Sequence, residues 1–123
     1  MAKVFGRAML AAALNARRLP GVSFYPVRFT PASSKFAGEE CQGVFMLITD
    51  RSAIRPVRVG VEIASALWKA HGAAFQIDLA ARLFGSRRDL ARIKAGEDPA
   101  AIAARWAGGE ARWRRTAAKY LLY

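Results

Sequence analysis

The sequence predicts an α+β fold: a small antiparallel sheet packed with several helices, and a helical C-terminal half. Three observations carry this. Residues 22–30 (VSFYPVRFT) alternate, with Val22, Phe24, Pro26 and Arg28 on one side and Tyr25, Val27 and Phe29 on the other, as in a strand. Residues 43–49 (GVFMLIT) form a nearly continuous apolar run, as in a strand buried on both faces. From Pro56 onward the chain carries a succession of helix starts and stops. A chain of 123 residues is one domain's worth, so 1–123 is read as a single domain.

The elements follow in order. Met9, Leu10, Ala13 and Leu14 make one apolar stripe, so residues 1–18 read as a helix that Leu19-Pro20-Gly21 stops. The same stretch makes a poor signal peptide: Lys3 and Arg7 precede a short apolar run, and Asn15-Ala16-Arg17-Arg18 is a poor cleavage region. Pro26 removes a ladder donor, which places the first strand at an edge or on a bulge. Residues 31–42 hold Pro, Ser, Gly and two Glu and read as a loop, long for a hairpin. Pro56 suits a first helical turn; Val57, Val61, Ala64 and Trp68 make its stripe, and Gly72 is a C-cap signal. A short helix is expected over Ile77–Phe84. Ser86 then caps a helix over Arg87–Ala95, with Asp89 as a capping-box variant. Asp98-Pro99 starts a last helix, expected to run through Gly108-Gly109 with Ile102, Trp106, Trp113 and Tyr120 on its apolar side.

Composition narrows the chemistry. The net charge of +11, from 20 Lys and Arg against nine Asp and Glu, attracts phosphates, acidic glycans and anionic membranes. Arginine outnumbers lysine 15 to 5 and alanine fills 26 positions, which fits a coding bias as well as it fits a nucleic-acid partner. The tightest basic clusters, Arg17-Arg18, Arg51/Arg55/Arg58, Arg87-Arg88 and Arg112/Arg114/Arg115, are scattered along the chain. Nucleic acid is therefore not the favoured partner. No apolar run approaches 18 residues, so no membrane span is expected. Cys41 is the single cysteine and His71 the single histidine, which excludes a disulfide framework and the usual zinc constellations; no metal and no cofactor are expected.

Catalytic patterns fail in the same way. There is no Gly-rich phosphate loop and no G-x-S-x-G elbow. Cys41 reads as a small core residue and His71 as a cation at a helix C-terminus. Among the acids, Asp98 and Asp89 read as caps, and Glu97, Glu110 and Glu39-Glu40 as solvated; no catalytic residue is assigned. The sequence places the most interesting surface at the far end of the two strands. There Thr30-Pro31, Ser33-Ser34-Lys35-Phe36 and Thr49-Asp50-Arg51 are expected to converge, offering two cations, hydroxyls, a carboxylate and an aromatic ring. That mix suits a sugar with an acidic substituent, or a polar loop in which Asp50 pairs with Arg51 or Lys35.

Four strings together resemble one family: LPGVSFYPVRFTP (19–31), SKFAGEECQGV (34–44), ITDRSAIRPVRVG (48–60) and the terminal KYLLY (119–123). The patterns S-K-F-x-G-x-x-C-x-G-V and T-D-R-x-x-x-x-P-V are long and specific. They resemble the C-terminal domain of the NamZ-type exo-β-N-acetylmuramidases, formerly a family of unknown function, over about Leu10 to Tyr123. Ala73–Gln76 is shorter than the family pattern, and Gly108-Gly109 interrupts its last helix.

The resemblance implies a bacterial glycoside hydrolase that releases N-acetylmuramic acid from peptidoglycan fragments, in cell-wall recycling. Its active site lies between an N-terminal Rossmann-like catalytic domain and this smaller domain. The catalytic domain is absent from this chain, so the chain is expected to be an accessory, cleft-completing domain that is inactive alone and has a missing N-terminal domain or subunit as partner. The resemblance puts Ser34, Lys35, Thr49, Asp50 and Arg51 where they face a muramyl sugar, with Lys35 or Arg51 meeting its lactyl carboxylate. It also implies an exposed interdomain face, open to self-association through Tyr25, Phe36 or Trp68. The substrate implies the cell envelope, but the chain itself does not fix its compartment. The alternative reading is a stand-alone basic module that binds cell-wall glycan or nucleic acid.

Overall fold

A computed structural model describes residues 6–122; Lys3 and Tyr123, used above, lie outside the described residues. Helix α1 (Arg7–Ala16) leads into strand β1 (Val22–Phe29), which returns as strand β2 (Cys41–Ile48). Helix α2 (Pro56–His71) follows, then two 3₁₀ turns (Gly72–Ala74 and Ile77–Ala80) and the single-turn α3 (Ala81–Phe84). Helices α4 (Arg87–Lys94), α5 (Pro99–Ala104) and α6 (Ala107–Ala118) complete the chain. This is the expected α+β order, with a two-stranded antiparallel sheet. No described helix is long and apolar enough to cross a membrane.

Helix α2 is the partition between two cores. On one side, Leu10, Ala11 and Leu14 of α1 pack with Leu19, with Val22 and Phe24 of β1 and with Val59 of α2. On the other, Val61 and Ala64 of α2 pack with Ile77, Leu90, Ile93 and Ile102. Val57, read above as part of the buried stripe, lies outside both and is exposed. The partition also buries a charge. Glu62 retains 2% of its accessible surface, and its carboxylate accepts from Arg17 through Nε (2.8 Å) and Nη2 (3.1 Å). Arg58 adds a longer ion pair at 3.5 Å. Arg17 Nη2 also donates to Asp98 Oδ1 at 2.7 Å, and this is the Asp98 that caps α5 through the Ala100 N–H. Hydrogen bonding to Glu62 holds the Arg17 guanidinium further above its ordinary pKa. The Ala100 N–H, with Arg17 next, holds the Asp98 carboxyl below the usual carboxylate range.

The hairpin is tied to α1 by Asn15. Its side-chain amide donates to the Phe24 carbonyl (2.8 Å) and accepts from the Phe24 N–H (2.9 Å), acting as a short extra strand on the outer edge of β1. Pro26 keeps a regular register opposite Val44, and since both strands are edges the proline costs no ladder bond.

Several expectations are corrected. β2 is not buried on both faces: Phe45, Met46, Leu47 and Ile48 are all exposed, because the helices cover one face of the hairpin near β1 and leave the rest of β2 open. Cys41 is half-buried at the start of β2, with its thiol 3.6 Å from the Glu39 carbonyl. The 77–84 helix is a 3₁₀ turn followed by one α turn. Ser86 caps α4 by accepting from the Asp89 N–H at 3.2 Å. The Asp89 carboxylate turns instead to Arg92 (2.8 Å) and the Trp106 indole (3.0 Å). The last helix runs through Gly108-Gly109 but breaks just before them, at Arg105–Trp106. Their N–H groups bond three residues back, to Ile102 and Ala103, as Trp106 packs against the second core and reaches Asp89. Beyond the break nothing in α6 is buried, so Trp113 and Tyr120 are exposed rather than on an apolar inner side. Glu97 and Glu110, read as solvated, pair with Arg105 (2.7 Å) and Arg55 (3.7 Å).

Arg17→Ala should lower stability by about 2–3 kcal/mol, at or below the low end for a broken buried pair because Arg58 still reaches Glu62. Thermal unfolding by circular dichroism should show Tm falling by about 10 °C. An unchanged Tm would show that the Glu62 pair contributes nothing net.

Candidate functional site

The register of the hairpin decides which candidates meet. Val22 pairs with Ile48 and Phe29 with Cys41, so the 30–40 loop and the Thr49–Arg51 segment lie at opposite ends of the sheet. At about 3.4 Å per residue, the eight-residue strands separate them by about 24 Å. Ser34 and Lys35 therefore share one end, and Thr49, Asp50 and Arg51 the other. The expected convergence does not occur, because a hairpin whose strands pair along their whole length returns the second strand to where the first began.

At the loop end, Pro31 and Ser34 carbonyls accept from the Gly38 and Ala37 N–H groups at 2.9 and 3.1 Å. Ser34 takes a left-handed backbone (φ 76°), unusual for a residue with a side chain. Ser34, Lys35 and Phe36 are all exposed, and the Lys35 ammonium stands 5.4 Å from the centre of the Phe36 ring. Glu40 approaches Arg28 at 3.9 Å. Lys35 is held by a neighbouring ring rather than by Asp50.

The other end is more tightly built. The Gly21 carbonyl accepts from the Thr49 (2.9 Å) and Asp50 (3.3 Å) N–H groups. Gly21 has φ 73°, and a Cβ there would stand 2.7 Å from the Ile54 nitrogen, so only glycine fits. Asp50 Oδ1 accepts from the Ser52 hydroxyl (2.6 Å) and the Ser52 N–H (2.9 Å), and the Asp50 carbonyl accepts from Ile54 N–H at 3.1 Å. The expected Asp50 partner, Arg51 or Lys35, is replaced by Ser52 in this Asx turn. The Ser52 hydroxyl, then its N–H, hold the Asp50 carboxyl below the usual range. Arg51 is exposed beside it.

Directly after this turn lies a cavity of about 280 Å³ at the start of α2. It is lined by Arg55, Arg58, Arg114, Trp106 and Glu110 among others. No side chain caps the first turn of α2, and Nε of Arg58 is buried with no hydrogen-bond partner. Glu110 tempers the positive charge through Arg55. Both arginine clusters were visible in the sequence. Their meeting was not, because it depends on the break at Trp106 that sets the path of α6.

The nine carboxylates are mostly committed. Glu39 apart, each caps a helix, closes the Asx turn or sits within ion-pair distance of an Arg or Lys. Among the described residues no group of three His, Cys, Asp or Glu stands close enough to hold a metal ion.

The family model for the C-terminal region of the exo-β-N-acetylmuramidase NamZ matches residues 2–123. The chain belongs to this family. It is 42% identical over 50 residues to the peptidoglycan β-N-acetylmuramidase NamZ of Bacillus subtilis, a match covering 41% of this chain and 12% of that protein. It also resembles the crystal structure of a DUF1343 family protein from Bacteroides fragilis, with TM-score 0.58 and 23% identity. That match covers 93% of this chain and 32% of the other, so the fold is shared and the chain spans about a third of the solved relative's length.

The Asp50 turn carries a pH prediction. Its folded pKa is lowered, so its contribution is present above the unfolded value of about 3.9 and is lost as pH falls through the folded one. In an NMR titration the Ser52 amide should shift with a midpoint below about 3.9. The shift should vanish in Asp50→Asn; a midpoint at or above that value would remove the Asx turn from the account.

Proposed function

We propose that this chain is the accessory domain of an exo-β-N-acetylmuramidase-like glycoside hydrolase, completing a substrate cleft whose catalytic groups lie on a preceding polypeptide. The observation that carries this reading is the match to a C-terminal family model along residues 2–123, in a chain about a third as long as its solved relative. The commitment of the carboxylates to caps and ion pairs supports it, since glycoside hydrolysis usually draws on two available carboxyl groups.

The two ends of the hairpin cannot both touch one sugar ring. The Thr49–Arg51 end is the better candidate, because its backbone is fixed by Gly21 and the Asx turn and it leads into the arginine-lined cavity. In this reading Arg51 meets the lactyl carboxylate of a terminal muramic acid, while Thr49 and the Asp50 turn hold the segment in place. A charge-assisted hydrogen bond there contributes roughly 1.5–3 kcal/mol. Ser34 and Lys35 then lie along a longer glycan or outside the cleft.

The test reassembles the enzyme from this chain and the polypeptide encoded immediately upstream, and follows release of N-acetylmuramic acid from a muramyl β-glycoside. The chain alone should release none, and the pair should be active. Arg51→Ala should raise KM roughly ten- to a hundredfold, the equivalent of that hydrogen bond. A loss on Lys35→Ala with none on Arg51→Ala would move the sugar to the other end of the hairpin. Nucleic-acid binding by the chain alone, weakening steeply as salt rises, would favour the stand-alone basic module.

A further inference from the structure

The two edges of the sheet are unlike. The Thr49 N–H donates to the Gly21 carbonyl, which makes Gly21–Thr49 a hydrogen-bonded pair in the continuing register. Pairs then alternate, so Ser23, Tyr25, Val27 and Phe29 exchange bonds with Leu47, Phe45, Gly43 and Cys41. The even-numbered residues point their backbone groups outward. On β1 that edge is blocked at its middle: Asn15 occupies both groups of Phe24, and Pro26 has no N–H to offer. On β2 the outward groups belong to Gln42, Val44, Met46 and Ile48, and no other described backbone segment pairs with them.

The side chains of β2 match its open edge. Phe45 and Leu47 form an exposed apolar face with Tyr25 and Phe29 of β1, while Met46 and Ile48 are half exposed on the opposite face. A strand apolar on both faces, with a free edge, has the composition of an interior strand, and native proteins rarely leave such an edge uncovered. Trp68, expected on this open face, instead packs half-buried against the second core and donates to the Lys94 carbonyl at 3.1 Å.

We propose that β2 is an interior strand of a larger sheet, completed by an extended segment of the polypeptide that precedes this domain in its longer relatives. That segment would hydrogen-bond along Gln42–Ile48, and the rest of the same polypeptide would cover the Tyr25–Phe29–Phe45–Leu47 face. This rests on the accessory-domain reading. Two facts select the occupant. The family model is a C-terminal one, and about two-thirds of the solved relative lies outside the match, so polypeptide is available on that side. A second copy of this chain would bring two bodies of net charge +11 together, which like-charge repulsion opposes.

The experiment is amide hydrogen exchange on the chain alone and after co-production with the polypeptide encoded immediately upstream. Alone, the outward amides of Val44, Met46 and Ile48 should exchange faster than the inward amides of Phe45 and Leu47. In the complex the outward amides should slow by about tenfold or more, with Phe45 and Leu47 changing less. Met46→Pro removes one outward donor and should weaken the complex at least about tenfold, while the free variant keeps its circular dichroism spectrum, as Pro26 is kept on the other edge. An active complex whose outward amides stay fast would overturn strand addition and leave the accessory role standing. An upstream region that encodes no such polypeptide, or one that neither binds nor activates, would overturn both. Protection of the outward amides in the chain alone, with a dimer by light scattering, would assign the edge to a second copy instead.

Discussion

The buried carboxylate of Glu62 is the constraint around which this fold is arranged. A carboxylate on the inner face of a partition helix is costly unless it is paired and hydrogen-bonded. Arg17 meets that requirement through two nitrogens, and the requirement fixes the end of α1 against α2. The same guanidinium reaches Asp98, so the start of α5 is fixed as well, and Ile102 one turn later fills the second core. Two residues before Arg17, Asn15 grips the edge of β1. The last turn of α1 thus holds the hairpin with one side chain and both other helices with another.

That arrangement explains why the sheet is open where it is. The helices and Asn15 are concentrated on β1, so the first strand is blocked at Phe24 and Pro26 and the second is left with an apolar body and an unpaired edge. A lone two-stranded hairpin is marginal in water. Here β1 anchors it to the core, which lets β2 stand exposed without the hairpin losing its register. The same arrangement puts the Gly21–Asp50–Ile54 turn and the arginine-lined cavity at the end of the sheet that leads into α2, and the Lys35 loop at the far end.

Much of this was legible because the signals are local. Ser86 and Asp98-Pro99 mark helix starts by chemistry that acts within three residues, and both caps are present. The strand run 22–30 and the stop at Pro20-Gly21 are equally local. What failed depended on distant parts of the chain. The burial of Glu62 leaves no local trace in the sequence, because the partner that permits it, Arg17, lies 45 positions earlier. The apolar run of β2 correctly signals a strand, but periodicity cannot say that the helices cover the hairpin only near β1 and leave Phe45, Met46, Leu47 and Ile48 exposed. The candidate site was split for a similar reason. Ser34-Lys35 and Thr49-Asp50-Arg51 are close in sequence, and only the full-length pairing of the hairpin sends them to opposite ends. The break at Trp106 turned on an indole bond to Asp89, 17 residues away.

The Arg17–Glu62–Asp98 linkage ties α1, α2 and α5 together and is expected to make the two cores one cooperative body. Native-state hydrogen exchange across a denaturant series tests it most directly, by comparing Leu14 in the first core with Ile93 in the second. If the linkage couples them, both amides exchange through the same global opening, with free energies agreeing within about 0.5 kcal/mol and equal denaturant slopes. If Ile93 exchanges through a separate opening some 2 kcal/mol or more below that of Leu14, the cores unfold independently and the linkage is not what holds the domain together.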